Sequence, residues 1–497
     1  MRWITLLSSL LVLHAPAEEK PKDAPAPKPS PEETPKEPVT REGSVTIDGR
    51  KVDYTVTSAL LQLKKADGTP RASVFHVSYL KKGIDDPAGR PVTFAFNGGP
   101  GSSAVWLHLG VLGPYIVDLP GDGTEAPEPP AGVVTNPHSI LDRTDLVFVD
   151  PVSTGYSRAE EKTKPSEFHG FNEDIESLGD FIRRWVTDNR RWSSPKFLIG
   201  ESYGGIRVTG LSEHLQSRYG MSLNGVVLLS SLLDFRTLRA TENDPLCYAA
   251  YLPTYTAVAH HHGKVEGDRD KLVAEANALA FGDFTLALLA GNTLADDEKG
   301  RLASRLAALT GLPAELFMAH ELRLDPSTFR AELLRDEGKV VGRFDARVAW
   351  PTTDPTSNYP SYDPSYSLAY GAYATAMLGY LGEHLGWQDE SPYEILTGKV
   401  HPWNWGADNQ VIDVTPRLER AMRDNPSLQV LVMKGLCDLA TPPGGIEYSL
   451  RQMVDAPDSI LDRIGHTTYE AGHMFYLNPP DLEKSRKDLV KFIDAAK

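Results

Sequence analysis

Ten residues constrain this chain more than any others: Lys196-Phe-Leu-Ile-Gly-Glu-Ser-Tyr-Gly-Gly205. An apolar run of strand length enters Gly200-Glu201-Ser202-Tyr203-Gly204, and a helical pattern from Gly205 to Tyr219 leaves it. A turn that tight leaves no room for side chains beside the strand or the helix, so glycine is demanded on both sides of the serine. The Ser202 hydroxyl is thereby lifted clear of the backbone. The same five residues also describe a glycine-rich turn holding an inert serine, so their meaning depends on the rest of the chain.

Short, nearly continuous apolar runs recur at Val92–Phe96, Asp145–Val149, Lys196–Ile199, Val226–Leu229 and Val430–Met433. Strands of a parallel sheet covered by helices are buried on both faces and read this way. Helical patterns at Asn172–Asn189 and Gly205–Tyr219 separate several of them, so strand and helix alternate. Ahead of them, alternation in Ser44–Val56 and Ser73–Leu80, with turns at Asp48-Gly49 and Asp67-Gly68, predicts an antiparallel meander. The expected class is α/β, with a mostly parallel central sheet and helices on both faces. The rhythm breaks between residues 236 and 382, where Ala and Leu recur at helical spacing over Asp268–Leu289 and Asp296–Leu309 without a convincing buried strand. A helical cap inserted between a first core segment, 43–235, and a second, 383–497, is the simplest organisation. An independent C-terminal domain is disfavoured, because sheet-like sequence returns beyond the insertion.

Residues 1–17 carry Arg2, an apolar run from Trp3 to Leu13 and Ala15-Pro16-Ala17, the pattern of a cleaved export signal; an uncleaved anchor is the alternative. Residues 18–42 alternate Pro with Lys, Glu and Ala, which predicts a solvated tether. No later segment reads as apolar enough to span a bilayer. A secreted or periplasmic protein follows. The net charge of -16 repels a phosphate backbone and argues against a nucleic-acid partner. With Cys247 and Cys437 alone, no disulfide framework holds the fold, and whether the two pair is open.

A serine hydroxyl is a weak nucleophile that needs a base, which in turn needs an orienting acid. Asp438 follows the run Val430–Met433 in Lys434-Gly-Leu-Cys-Asp-Leu-Ala-Thr-Pro-Pro443, and His473 sits in Tyr469-Glu-Ala-Gly-His-Met-Phe-Tyr476. Taken singly, the first reads equally as a turn residue and the second as a helix cap. His466 is the nearest competitor for the base. Phe96-Asn-Gly-Gly-Pro-Gly-Ser-Ser103 follows a buried run and offers successive amides to a ligand.

Together, Asn97-Gly-Gly-Pro-Gly-Ser-Ser103, Gly113-Pro114, Asp150-Pro-Val-Ser-Thr-Gly-Tyr-Ser157, Gly200-Glu-Ser-Tyr-Gly204, Asp438 and Gly472-His473-Met474 resemble the serine carboxypeptidase family, in its order, as a bacterial-type member. The resemblance runs from about Ser44 to the end. It implies an α/β-hydrolase fold and a peptide substrate with a free C-terminus, with no cofactor and no metal. It implies Ser202 as nucleophile, His473 as base, Asp438 as its orienting acid, and the amides of Gly99 and Tyr203 as oxyanion donors. Asn97, the Gly98 amide and Glu201 would grip the terminal carboxylate; Glu201 as a group that merely fixes the elbow is the alternative. Carboxylate recognition by Glu201 requires a proton, so activity is expected to rise at acidic pH. The pattern departs at Ala95 and Val111, where the family commonly carries Trp and Glu, which leaves esterase or acyltransferase action on the same triad open. A binding protein on a hydrolase scaffold is a further alternative. His260-His261-His262 lacks companion ligands and reads as a helix end, His320-Glu321 lacks the second histidine of a zinc helix, and Trp403-Asn404-Trp405 reads as packing.

Overall fold

The computed structural model describes residues 36–408 and 410–497; the leader and most of the tether lie outside the described residues. The chain enters a ten-stranded sheet through β1 (Val39–Ile47), β2 (Arg50–Lys64) and β3 (Pro70–Lys81), an antiparallel meander in which Val45 pairs with Val52 and Thr57 with Ser78. Strand β1 begins inside the stretch read as tether, so that boundary moves back to about residue 38. Its first residues, Thr40, Arg41 and Glu42, are exposed and pair through their backbones, so no apolar alternation announces them.

There follow β4 (Val92–Phe96), a separate hairpin of β5 (Tyr115–Val117) and β6 (Val133–Thr135), then β7 (Asp145–Val149), β8 (Arg158–Ala159), β9 (Lys196–Glu201) and β10 (Gly225–Leu229). Beyond the insertion come β13 (Gln429–Gly435) and β14 (Ile464–Tyr469), while β11 (Lys339–Val341) and β12 (Ala349–Pro351) pair with each other inside it. The sheet order is β1-β2-β3-β7-β4-β9-β10-β13-β14, with β8 paired to β3. From β7 to β14 all neighbours run parallel. Strand β14 escapes a reading by apolar runs because it is half-exposed and only Tyr469 is buried.

The central strands send alternate residues to opposite faces. Phe197, Ile199, Val227, Leu229 and Met433 join one apolar cluster with the last helix, Pro479–Ala496; Leu198, Val226, Leu228 and Val432 join another beneath the helices Phe171–Asp188 and Tyr203–Tyr219. In Phe171–Asp188, Ile175, Leu178, Phe181, Ile182 and Trp185 recur every three or four positions and form the buried stripe.

Asp145, at the start of β7, is buried between Arg90 and Arg191, with oxygen–nitrogen distances of 2.7 and 2.6 Å. Removing it strands two buried guanidinium groups. Asp145→Ala is therefore expected to cost about 3–5 kcal/mol, read as a lowered urea midpoint.

Within residues 236–382, the helices Leu246–His261, Arg269–Leu279 and Asp296–Thr310 gather around their own apolar cluster, which also holds Cys247 and Cys437. Both cysteines are free buried thiols. The hairpin β11–β12 is a strand pair the sequence did not announce, because three residues per strand are too few for alternation to register. The helix Pro364–Gly379 packs Leu368, Ala372, Tyr373 and Met377 into the sheet's own cluster rather than the insertion's. One stretch, Arg269–Thr293, is long enough, at 25 residues, and holds a window apolar enough to cross a membrane, contrary to the sequence reading. Its helical path breaks at Phe281 and Gly282, whose backbone angles are non-helical.

Candidate active site

Strand β9 delivers Glu201 to its C-terminal edge and the helix Tyr203–Tyr219 begins one residue later, so Ser202 alone makes the turn, at φ 61° and ψ -129°. Its amide is held 3.1 Å from the carbonyls of both Leu229 and Ser230. This non-glycine positive φ is strain that the surrounding sheet over-determines. The flanking glycines answer to space: a Cβ on Gly200 would overlap the Gly204 carbonyl, and one on Gly204 would come within 2.5 Å of the Phe96 carbonyl. Ser202 stays partly exposed while Glu201 and Tyr203 on either side are buried.

Asp438 lies in the loop after β13 and is wholly buried. Its Oδ1 accepts the amides of Ala440 (2.7 Å) and Thr441 (2.9 Å), as an N-cap carboxylate does, and this fixes its plane. Its Oδ2 then faces His473 Nδ1 at 2.8 Å. The Thr441 hydroxyl stands 2.8 Å from the same Oδ2 and 2.7 Å from the Ser230 carbonyl, tying the acid loop to the strand beside the elbow. Burial alone would push the His473 imidazole down, but the charge and hydrogen bond of Asp438, joined by Glu201, outweigh it and hold the imidazole above its ordinary value; Arg343 opposes them.

A cavity of about 360 Å³ opens over this arrangement, and Asn97, Gly98, Gly99, Glu201, Ser202 and His473 all line it. Asp438 stands behind His473. The Tyr203 side chain turns away, its ring edge-on to Trp403 and Trp405 at 5.7 and 6.0 Å, so the tryptophan pair packs behind the elbow. What Tyr203 offers is its amide, which as the first of a helix has no intrahelical acceptor, and which lies where a Cβ on Gly98 would come within 2.5 Å. His466 sits exposed on the edge strand β14 and is not among the cavity's lining residues.

Glu201 is the most perturbed carboxyl of the cavity: burial raises it to about 7, against the opposing pull of His473 and of hydrogen bonds from Tyr476 and Asn97. Asn97 Nδ2 donates to Oε2, and the Tyr476 hydroxyl lies 3.0 and 3.2 Å from the two oxygens. Asn97 is itself locked, its Oδ1 accepting the Leu107 amide at 3.1 Å and its carbonyl taken by Arg207 Nη1. Arg207 is buried and paired with Asp174 at 2.7 Å.

Sequence reasoning missed Thr441, Tyr476, Arg207 and the pair Arg343-Phe344. The first two stand in the loops that carry the acid and the histidine, so proximity was their signal. The other two have none: Arg207 looks like a helix-surface residue, and Arg343-Phe344 come from the β11–β12 turn, 95 and 94 residues before the acid.

Residues 64–473 match the family model described as serine carboxypeptidase. The chain belongs to the serine carboxypeptidase family. Among curated relatives, it is 26% identical over 167 residues to serine carboxypeptidase-like 45 of Arabidopsis thaliana, covering 32% of this chain and 33% of that one. It is 28% identical over 184 residues to the lysosomal protective protein of Mus musculus, covering 36% and 34%. The match thus spans about a third of the length of either relative. A solved prohormone-processing carboxypeptidase from Saccharomyces cerevisiae superposes with a TM-score of 0.56 at 14% identity, over 89% of this chain and 91% of that one, and supports the α/β-hydrolase fold. Within the serine carboxypeptidase pattern the two departures are structural: Ala95 and Val111 are both buried in the apolar cluster of the sheet. Glu201 reaches its raised value without an acidic neighbour at position 111, because burial is the largest cause.

Proposed function

We propose that this protein is a serine carboxypeptidase that releases C-terminal residues through an acyl-enzyme. Ser202 attacks the scissile carbonyl, His473 takes its proton and returns it to the leaving amine, and Asp438 holds the imidazole with its proton on Nδ1. The amides of Gly99 and Tyr203 stabilise the oxyanion, each worth a few kcal/mol in such sites. The observation that carries the reading is the buried Asp438–His473 pair, whose imidazole shares one cavity with the elbow serine and with Glu201.

Glu201 supplies the selection for chain ends. Beside a substrate carboxylate, one of the two acids must hold a proton, and burial favours keeping it on Glu201 up to about pH 7. The sign follows: Glu201 is neutral below about 7 and binds, ionised above and repels. Protonation of His473 at low pH slows free-acid and amidated substrates alike and cancels in their ratio. The ratio of kcat/KM for a blocked dipeptide with a free terminus to that for its amide is therefore expected to fall about tenfold between pH 6 and 8, and Glu201→Gln to flatten the fall. A pH series on both substrates measures it; equal cutting of the amide at every pH would point instead to an esterase or acyltransferase on the same residues. The leader pattern of residues 1–17 supports export, with action outside the cytoplasm.

A further inference from the structure

The cavity holds one permanently charged side chain, and the reaction as described gives it no task. Arg343 lines the cavity together with Ser202 and His473. It stands in the turn between β11 and β12, and its backbone is fixed on three sides. Its amide donates to Asp363 Oδ1 at 2.9 Å, its carbonyl accepts from Leu439 at 3.1 Å, and its neighbour Gly342 donates to the Val348 carbonyl at 2.8 Å. The guanidinium, by contrast, has no ion pair and no hydrogen bond among the described residues, its one side-chain contact being with the Phe344 ring. It rests over the ring of Phe344, 5.1 Å from its centre, and that ring lies 5.2 Å from the His473 imidazole. Asp363 does not neutralise it: that carboxylate takes the amides of Arg343 and Ser365 and the Ser365 hydroxyl, and lies 3.8 Å from Arg330.

An exposed arginine held by its backbone at the edge of a cleft, with five donors unspent, is suited to meet a planar anion. The other titratable groups of the lining are Glu201, His401, His473 and Tyr366, and none of them is an anion already paired with Arg343. Its position gives the side of the substrate. Phe344 lies against the imidazole that hands its proton to the departing amine, and this contact is the ground for assigning Arg343 to the leaving-residue side. We infer that Arg343 is a specificity-determining residue that binds a carboxylate carried by the leaving residue of the substrate. The inference rests on the carboxypeptidase reading. Two sources supply such a group, the α-carboxylate and an acidic side chain, and the test separates them.

Three blocked dipeptides serve as probes: one ending in Glu, one in Gln, and the amide of the Gln peptide. In Arg343→Gln, KM is expected to rise about tenfold for the recognised substrate with a much smaller change in kcat, and Arg343→Lys to restore only part of the loss, through its charge. If the α-carboxylate is the ligand, the ratio of kcat/KM for the Gln acid to its amide falls about tenfold. If the side chain is, only the Glu-to-Gln ratio falls. Unchanged ratios, including an equal loss on all three peptides, overturn the inference while leaving the carboxypeptidase reading intact. Should the native protein cleave none of them, that reading fails separately. Calorimetric binding of the Glu peptide to Ser202→Ala with and without Arg343→Gln then decides for Arg343: binding about tenfold weaker without the arginine supports it, and equal binding overturns it.

Discussion

Ser202→Ala is expected to abolish labelling by a fluorophosphonate and to lower peptide turnover on the order of 10⁴-fold or more. The substitution removes the hydroxyl proposed to form the acyl-enzyme while leaving the pocket that surrounds it. The helix Tyr203–Tyr219 still begins at the elbow, and the glycine-rich loop at residues 97–101 keeps its place, so residual rate from the oxyanion donors sets the floor. The thermal midpoint should stay within a few degrees of the native value, since alanine at this partly exposed position meets the same positive φ as serine. Labelling that persists in the variant would place the nucleophile elsewhere.

Asp438→Asn should lower kcat on the order of 10⁴-fold with little change in KM. The reason lies in how the carboxylate is held. Because Oδ1 accepts two backbone amides, an asparagine keeps its carbonyl there and turns its NH₂ toward His473 Nδ1. Two donors then face each other, and the imidazole relieves the clash by carrying its proton on Nε2, where a base must be bare. The imidazole also loses the largest influence raising it, so the acid limb of the pH–rate profile shifts to lower pH. A loss under tenfold, with the acid limb unmoved, would refute Asp438 as the orienting group.

Much of the core was readable because burial on both faces leaves few polar residues: β4, β7, β9, β10 and β13 each announce themselves as a short apolar run. The elbow was readable for a steric reason, since Gly200 and Gly204 have no substitutes. Elements whose pairing is carried by backbone alone were not. The start of β1 faces water and β14 is half-exposed with Tyr469 alone buried, so few of their side chains record the sheet. In the same way the serine, acid and histidine carry local signatures, whereas Arg343 and Phe344 join them only through tertiary folding of the insertion. The membrane-length stretch Arg269–Thr293 shows the converse, where composition suggests one continuous helix and a break at Gly282 prevents it.

The turn between β11 and β12 does more than roof the cavity. The Phe344 carbonyl receives the amide of His473 at 2.5 Å, and the Arg343 carbonyl receives that of Leu439, one residue past the acid. Two peptide groups of the turn therefore help to moor the backbone of His473 and of the residue after Asp438. Trimming the insertion away would not yield an open, more permissive enzyme. It would remove the backbone acceptors of His473 and Leu439, so loop-swap variants that aim to broaden substrate range should keep residues 342–345 even where everything around them is replaced.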